Sequence, residues 1–402
     1  MANSFLSPTI ITREALRVLH QSVKFIGAVN RQYDNQFANE GASPSGKIGP
    51  TLTIRLPNQF TVRSGATLQV QDIAESTTTL TVSTQKGVDL NFSAVDLTLT
   101  IDEFSARYLK PAMARLAAEM EKDALTMVKD VYNFVDDDAA AISFLDIAKG
   151  RQKLDEFLAP DDGDRTLMLC PTHNTKFIDA VKGLFNPTKE LSKQYRSGFV
   201  GEVDSFDAYQ TSLLVPQATG TALKTTTYTV NGANQTGALV TIQTGATTFK
   251  KGDIVTFVGS NAVHPETKDD YGYLQQFVVT ADYAGGGGNL AISPAIVVTG
   301  AGQNVTASPT SGGNVVKVGA GASETYTQSV AFHKEAFAFV SADLIDVSKY
   351  GAWGARQVMD GISMRIARQY DITNDKVPAR IDVLYGFKTI RPQLACRIHA
   401  DG

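Results

Sequence analysis

The chain has 402 residues, of which 43% are hydrophobic and 19% charged, with a formal net charge of -4. That length and apolar content support two or three packed domains and exclude a chain disordered throughout. The acidic balance excludes a tight, nonspecific grip on nucleic acid, and the basic residues are scattered without interleaved aromatics.

In chain order, residues 12–29 predict a short amphipathic helix with Leu16, Leu19, Val23 and Ile26 on one face and Thr12 as a cap. A helix this short needs a surface to dock on. From Tyr33 to Pro50 the residues turn small and polar and predict a loop. Alternation then returns twice, in residues 51–57 (Leu52, Ile54, Leu56) and 80–92 (Leu80, Val82, Val88, Leu90, Phe92). These arms predict a long open hairpin with its tip near Ser64 to Ser76. Arms of about 12 residues reach roughly 40 Å. A lone ribbon of two strands is unstable in water, so this one is expected to lie on another copy of the protein.

The stretch Asp102–Val135 carries Leu109, Met113, Leu116, Met120, Ala124, Met127, Val131 and Phe134 at steps of three or four. It predicts one long helix, with Asp102 as N-cap, Glu103 in the first turn, and either a kink at Pro111 or a true start there. Counted from Pro111 it would run roughly 37 Å, long enough to act as a spine shared by several modules. The opposite face would carry Arg115, Glu119, Glu121, Lys122, Lys129 and Asp130.

Residues 143–158 predict a helix with Leu145, Ala148, Gln152 and Phe157 in line. A turn at PDDGD, a buried strand TLMLCP and a helix THNTKFIDAVKGLF opened by Thr172 or Asn174 follow, giving a compact α/β layer. YRSGFVGEVDSFDAYQTSLLVP predicts two or three short strands. From Ala218 to about Gln328, strand candidates TTYTVN, ALVTIQT, DIVTFVG, LQQFVVTA, LAISPAIV and NVVKVG alternate with Gly/Asn/Asp turns. They predict a small β-barrel or sandwich inserted between mixed segments. After it, SVAFHKEAFAFVSADL, GISMRIARQYD, KVPARIDVLYGFKTIRP and ACRI predict strands, and Trp353 falls in a glycine-flanked loop.

The sequence offers no catalytic, cofactor or metal constellation. GGGGN at 285–289 is followed by strand rather than by a helix, so it predicts a hairpin tip and no phosphate cradle. Cys170 and His173 lie three residues apart on one turn, a poor arrangement for nucleophile and base. Cys170 and Cys396 predict buried reduced thiols. His264 with Glu266, Asp269 and Asp270 is an acidic loop cluster, read as solvated or as an inter-subunit contact rather than as a cation site. Asp161, Asp162 and Asp164 lack the terminal glutamate of a calcium loop. The start MANSFLSPTI has no secretion signal, and no apolar run reaches the ~18 residues of a membrane span, so a cytoplasmic origin and no membrane partner are expected.

The ordered set of KGVDLNF, YLKPAMARLAAEMEKDAL, RTLMLCPTHNTKFIDAVKGLF, YRSGFVGEVDSFDAY, KKGDIVTFVG, LQQFVVTAD, LAISPAI, SVAFHKEAFAFVSADL and RIDVLYGFKTIRPQLACRI resembles the major capsid proteins of tailed bacteriophages. It is most similar to the coat proteins of short-tailed Salmonella-type phages, which carry a β-barrel insertion. The resemblance implies an α+β capsid fold: an N-terminal helical arm (1–32), an extended β-hairpin loop (33–101), a spine helix and peripheral α/β domain (102–217), an inserted β-barrel domain (218–328), and an axial domain with C-terminal strands (329–402). It implies a structural subunit that self-assembles through pentamers and hexamers into an icosahedral shell, in a host cytoplasm. Its partners would be a scaffolding protein, a portal, and packaged double-stranded DNA lying nearby without specific binding. Some relatives crosslink through a loop lysine, but neither Lys47 nor Lys86 matches that motif, so a noncovalent shell is expected. Inter-subunit contacts are expected at Leu52, Ile54, Arg55, Leu56, Arg63 and Lys86 of the loop, and at Lys268, Asp269 and Asp270 of the insertion. The competing readings are a cytosolic hydrolase built on Cys170, His173 or His264, and a virion tail or attachment protein.

Overall fold

The computed structural model describes residues 8–33, 51–63, 65–68, 70–71, 75–92, 108–137, 141–181, 201–350, 353–359, 362–369 and 377–400. The expected cap Asp102, its neighbour Glu103, Lys47 and part of the hairpin tip lie outside these residues. Contacts divide the chain into two compact units, one of Met1–Ile54, Thr77–Ala124 and Phe337–Lys388, the other of Arg55–Ser76, Leu125–Ala336 and Thr389–Gly402.

The first unit is built on a five-stranded sheet. Its path runs Phe337–Ala342, Val377–Thr389, Ile362–Arg368, Trp353–Met359, and Thr84–Phe92 also pairs with Val377–Thr389. Ile362, Met364 and Ile366 are buried, as their alternation requires. The arm helix Pro8–Ser22 packs on the strands Trp353–Met359 and Ile362–Arg368 through Leu16, Leu19 and their neighbours. Asn30 pairs with Ala338, its N–H donating to Phe337 O at 3.1 Å. Trp353 belongs to a strand and not to a loop, with the Arg368 guanidinium 3.4 Å over its ring from the neighbouring strand.

Two expectations fail here. The α-helix described is Lys110–Leu125, about 24 Å long, and a 3-10 segment Thr126–Asp130 continues it. Phe134 lies on the strand Phe134–Asp136, held parallel to Arg397–His399. β-branched Thr126, Val128 and Val131 weaken the helix there, and strand pairing takes over from helical periodicity. Glu121, placed on the solvent face by its spacing, is buried; its carboxylate accepts the N–H groups of Lys24 and Phe25 at the start of the short helix Phe25–Ala28. Burial raises its pKa, and those two amides oppose the rise.

The second failure is the hairpin. Thr51–Arg55 pairs with Thr77–Thr81 in a two-stranded sheet. The expected second arm is two elements, because Thr84–Phe92 turns away to Val377–Thr389 in a register of nine residue pairs from Thr84↔Tyr385 to Phe92↔Val377. The ribbon arms are therefore five residues each, about 17 Å. Alternation fixes which face a residue occupies, not which strand it pairs with.

The second unit holds a six-stranded mixed sheet in the order Phe134–Asp136, Ala395–His399, Ser329–His333, Arg165–Leu169, Phe206–Gln210, Gly201–Val203. Helix Phe144–Glu156 packs on it, opened by a capping box between Ser143 and Asp146. Its buried face carries Ile147, Gly150 and Leu154, whereas Leu145 and Gln152 are exposed, so the expected stripe is displaced. Gly150 explains the displacement: a Cβ there would sit 3.0 Å from Ile398 Cδ1, so the glycine must face the sheet. The next helix begins at Pro171, one residue before Thr172.

All six strand candidates between 218 and 328 form strands, and they close into one antiparallel barrel. Its order is Gly237–Gln243, Gly288–Ile296, Asp270–Val279, Ile254–Val263, Asn314–Val318, Thr225–Val230. Tyr228, Phe249, Phe257, Phe277, Leu290 and Ile292 fill it. The chain runs out to the barrel and back side by side, through an antiparallel pair Gln217–Ala218 with Thr325–Tyr326 and a Thr219 N–H donating to Glu324 O at 2.8 Å.

Candidate assembly surfaces

The loop between Leu56 and Ser76 folds on its own hydrogen bonds. Thr61 N–H donates to Gln71 Oε1 at 2.8 Å, and Gln71 Nε2 donates back to Thr61 O at 2.5 Å. Arg63 donates to the carbonyls of Gly65 and Thr67, and Arg55 pairs with Glu75 at 3.3 Å. Both arginines therefore serve the shape of the loop. Of the expected apolar contacts, Ile54 is already buried, and Leu52 and Leu56 are half-buried. The exposed apolar residues lie further out: Phe60 is 61% exposed, Val62 97%, Leu68 77% and Val70 82%. The signal for them was present in QFTVRSGATLQV, as two short alternations either side of Gly65.

Lys86 is engaged within its own unit, 2.7 Å from Asp123 and 3.4 Å from Glu119. Burial works against its charge, but those two carboxylates outweigh it and hold the ammonium above its ordinary pKa. In the barrel, Lys268 donates to the carbonyls of Pro265 and Gln303 from a left-handed backbone (φ 65). Asp270 accepts from Asn261 Nδ2 at 3.0 Å and Gly272 N–H at 2.7 Å, and Asp269 is exposed. His264 Nδ1 accepts the N–H groups of Glu266 and Thr267, which organises the turn.

Of the groups weighed for catalysis, Cys170 and His173 point inward and His264 is half-buried. Cys170 and His173 are buried, His173 Nδ1 lies 2.7 Å from Ser329 Oγ, and Cys170 Sγ accepts the His173 N–H at 3.4 Å. Burial pushes the Cys396 thiol up to about 12. Asp162 pairs with His333, and Asp164 with Lys334. Among the described residues no group of three His, Cys, Asp or Glu could hold a metal ion, and no helix is long and apolar enough to cross a membrane.

Residues 42–397 match the family model described as P22 coat protein, gene protein 5. The chain belongs to the P22 coat protein family. It is a structural major capsid protein, a component of the virion that self-assembles into capsid shells. No curated protein matches it in sequence. Among solved structures, a chain of Mycobacterium phage Che8 aligns at 12% identity and TM-score 0.48, covering 94% of this coat protein and 90% of that chain. The capsid of cyanophage P-SCSP1u aligns at 11% identity and TM-score 0.44, covering 90% and 86%. The mature capsid of bacteriophage PhiM1 aligns at 11% and 0.41, covering 90% of each.

Proposed function

We propose that this coat protein forms pentamers and hexamers that close into a noncovalent icosahedral shell in the host cytoplasm. Assembly proceeds around a scaffolding protein and a portal, and the shell then encloses double-stranded DNA without specific binding. The domain limits expected from the sequence, 218–328 for the insertion among them, belong to this reading. The observation that carries it is the loop tip, where four apolar side chains stand in solvent on a segment shaped by its own hydrogen bonds. Covering Phe60, Val62, Leu68 and Val70 with a sibling subunit would contribute about 6 kcal/mol or more per loop before ordering costs. The net charge of -4 suits a wall that must not hold its contents.

The test is electron microscopy of shells assembled by the intact protein and by Val62→Asp. The wild type gives closed particles. The variant keeps its thermal unfolding midpoint and stays as free subunits or capsomers. Normal shells from Val62→Asp would overturn the role given to the tip.

A further inference from the structure

The barrel turn Lys250–Asp253 reaches the 3-10 segment Thr126–Asp130 and the strand Ala395–His399. Lys251 Nζ lies 2.9 Å from Asp130 Oδ1, while Thr389 Oγ1 donates to Asp130 Oδ2 and to Met127 O, both at 3.3 Å. Gly252 O accepts from Arg397 Nη1 at 3.0 Å, and the Arg397 backbone N–H donates to Asn133 O at 2.9 Å. Arg397 is fully buried; Gln328 Oε1, at 3.4 Å, is a further acceptor. The turn is itself fixed. Asp282 accepts Lys251 N–H at 2.8 Å and pairs with Lys250 at 2.7 Å, and Asp253 accepts Lys250 N–H at 2.9 Å and Gly220 N–H at 3.0 Å. Gly252 stands at φ +96, where a Cβ would meet Gln217 Oε1 at 2.5 Å, so only glycine gives the turn this approach.

A 3-10 stretch commonly ends an α-helix, as Thr126–Asp130 does here. Its backbone bonds are poorer, and side chains from elsewhere must hold it. We propose that the barrel turn Lys250–Asp253 is a latch on Thr126–Asp130, closed by Lys251 on Asp130 and pinned by Arg397 on Gly252. The inserted barrel then does more than stabilise its own fold: its docking decides whether the segment after the spine helix is held or released. The latch is intramolecular and does not depend on how copies assemble.

Amide hydrogen exchange on the full-length chain tests it, comparing Lys251→Ala, Asp130→Asn and the double variant with wild type. Asn at 130 keeps an acceptor for Thr389, so Asp130→Asn removes the charge alone. Each single variant should speed exchange across residues 126–133 by about two- to fivefold, the range for a half-exposed pair, with the barrel strands Ile254–Val263 and Asp270–Val279 unchanged. The double variant should show no more than the larger single effect, because both remove one interaction. Lys251→Arg should restore wild-type protection. Unchanged exchange at 126–133 in Lys251→Ala, or additive effects in the double variant, would overturn the latch.

Discussion

Glu121 puts a carboxylate where a helix start needs an acceptor. Removing it as Glu121→Ala leaves the amides of Lys24 and Phe25 buried without that partner, and should cost roughly 1–3 kcal/mol by denaturant unfolding. Glu121→Gln keeps an acceptor and removes a buried charge, so it should cost clearly less. The pKa of Glu121 is raised, so its titration favours the fold at low pH and that contribution is lost as pH rises through the folded value. Asp136 behaves in the opposite sense. Burial alone would raise its pKa, but His399, Lys224 and the Gly319 N–H outweigh this and lower it. Its contribution is present above the unfolded value of about 3.9 and is lost as pH falls through the folded one. Acid titration of unfolding should therefore show a shallower loss below about pH 4 in Asp136→Asn than in wild type.

Among elements, the barrel was the most legible from the sequence. Each of its strands is short, alternates or is wholly apolar, and is bounded by turn residues, so the strands were legible although half of their pairings join strands that are not consecutive. The strand Thr84–Phe92 was illegible for the opposite reason: its partner lies nearly three hundred residues away, and nothing local distinguishes it from a hairpin arm. The spine helix was overextended because Phe134 keeps the helical spacing while a parallel pairing with Arg397 decides its backbone. The loop tip was only half legible. Leu52, Ile54 and Leu56 were read as the contacts because they alternate along a ribbon arm expected to lie on a neighbour, but Ile54 is buried and the other two are half-buried already. Gly220 gives an element-scale check on the barrel root. A Cβ there would meet Thr248 O at 2.0 Å, so Gly220→Ala should shift the neighbouring backbone and lower the free energy of barrel unfolding by more than about 2 kcal/mol, read by tyrosine fluorescence or exchange in the barrel strands.

For the molecule in its shell, the role proposed for the tip predicts the conditions of assembly. Apolar burial weakens on cooling and responds little to salt, whereas contacts between exposed charges are screened. Light scattering should show assembly slower and less complete at about 5 °C than at 25 °C, with modest change from roughly 0.05 to 0.5 M salt. A steep loss with salt would instead put the weight on Arg63 and on Lys268, Asp269 and Asp270.

The paired Gln217–Ala218 and Thr325–Tyr326, with the Thr219 to Glu324 hydrogen bond beside them, give the detour through the barrel a closed circuit. Its two leads sit one strand spacing apart, so the rest of the polypeptide would meet the same spacing if the loop between them were longer, shorter or absent. A chain joined from Thr219 to Glu324 by a brief turn should still form its six-stranded sheet, although without the grip of Lys251 on Asp130. The same junction is a natural socket, where a foreign module whose own termini lie close together could be plugged in without shifting what surrounds it.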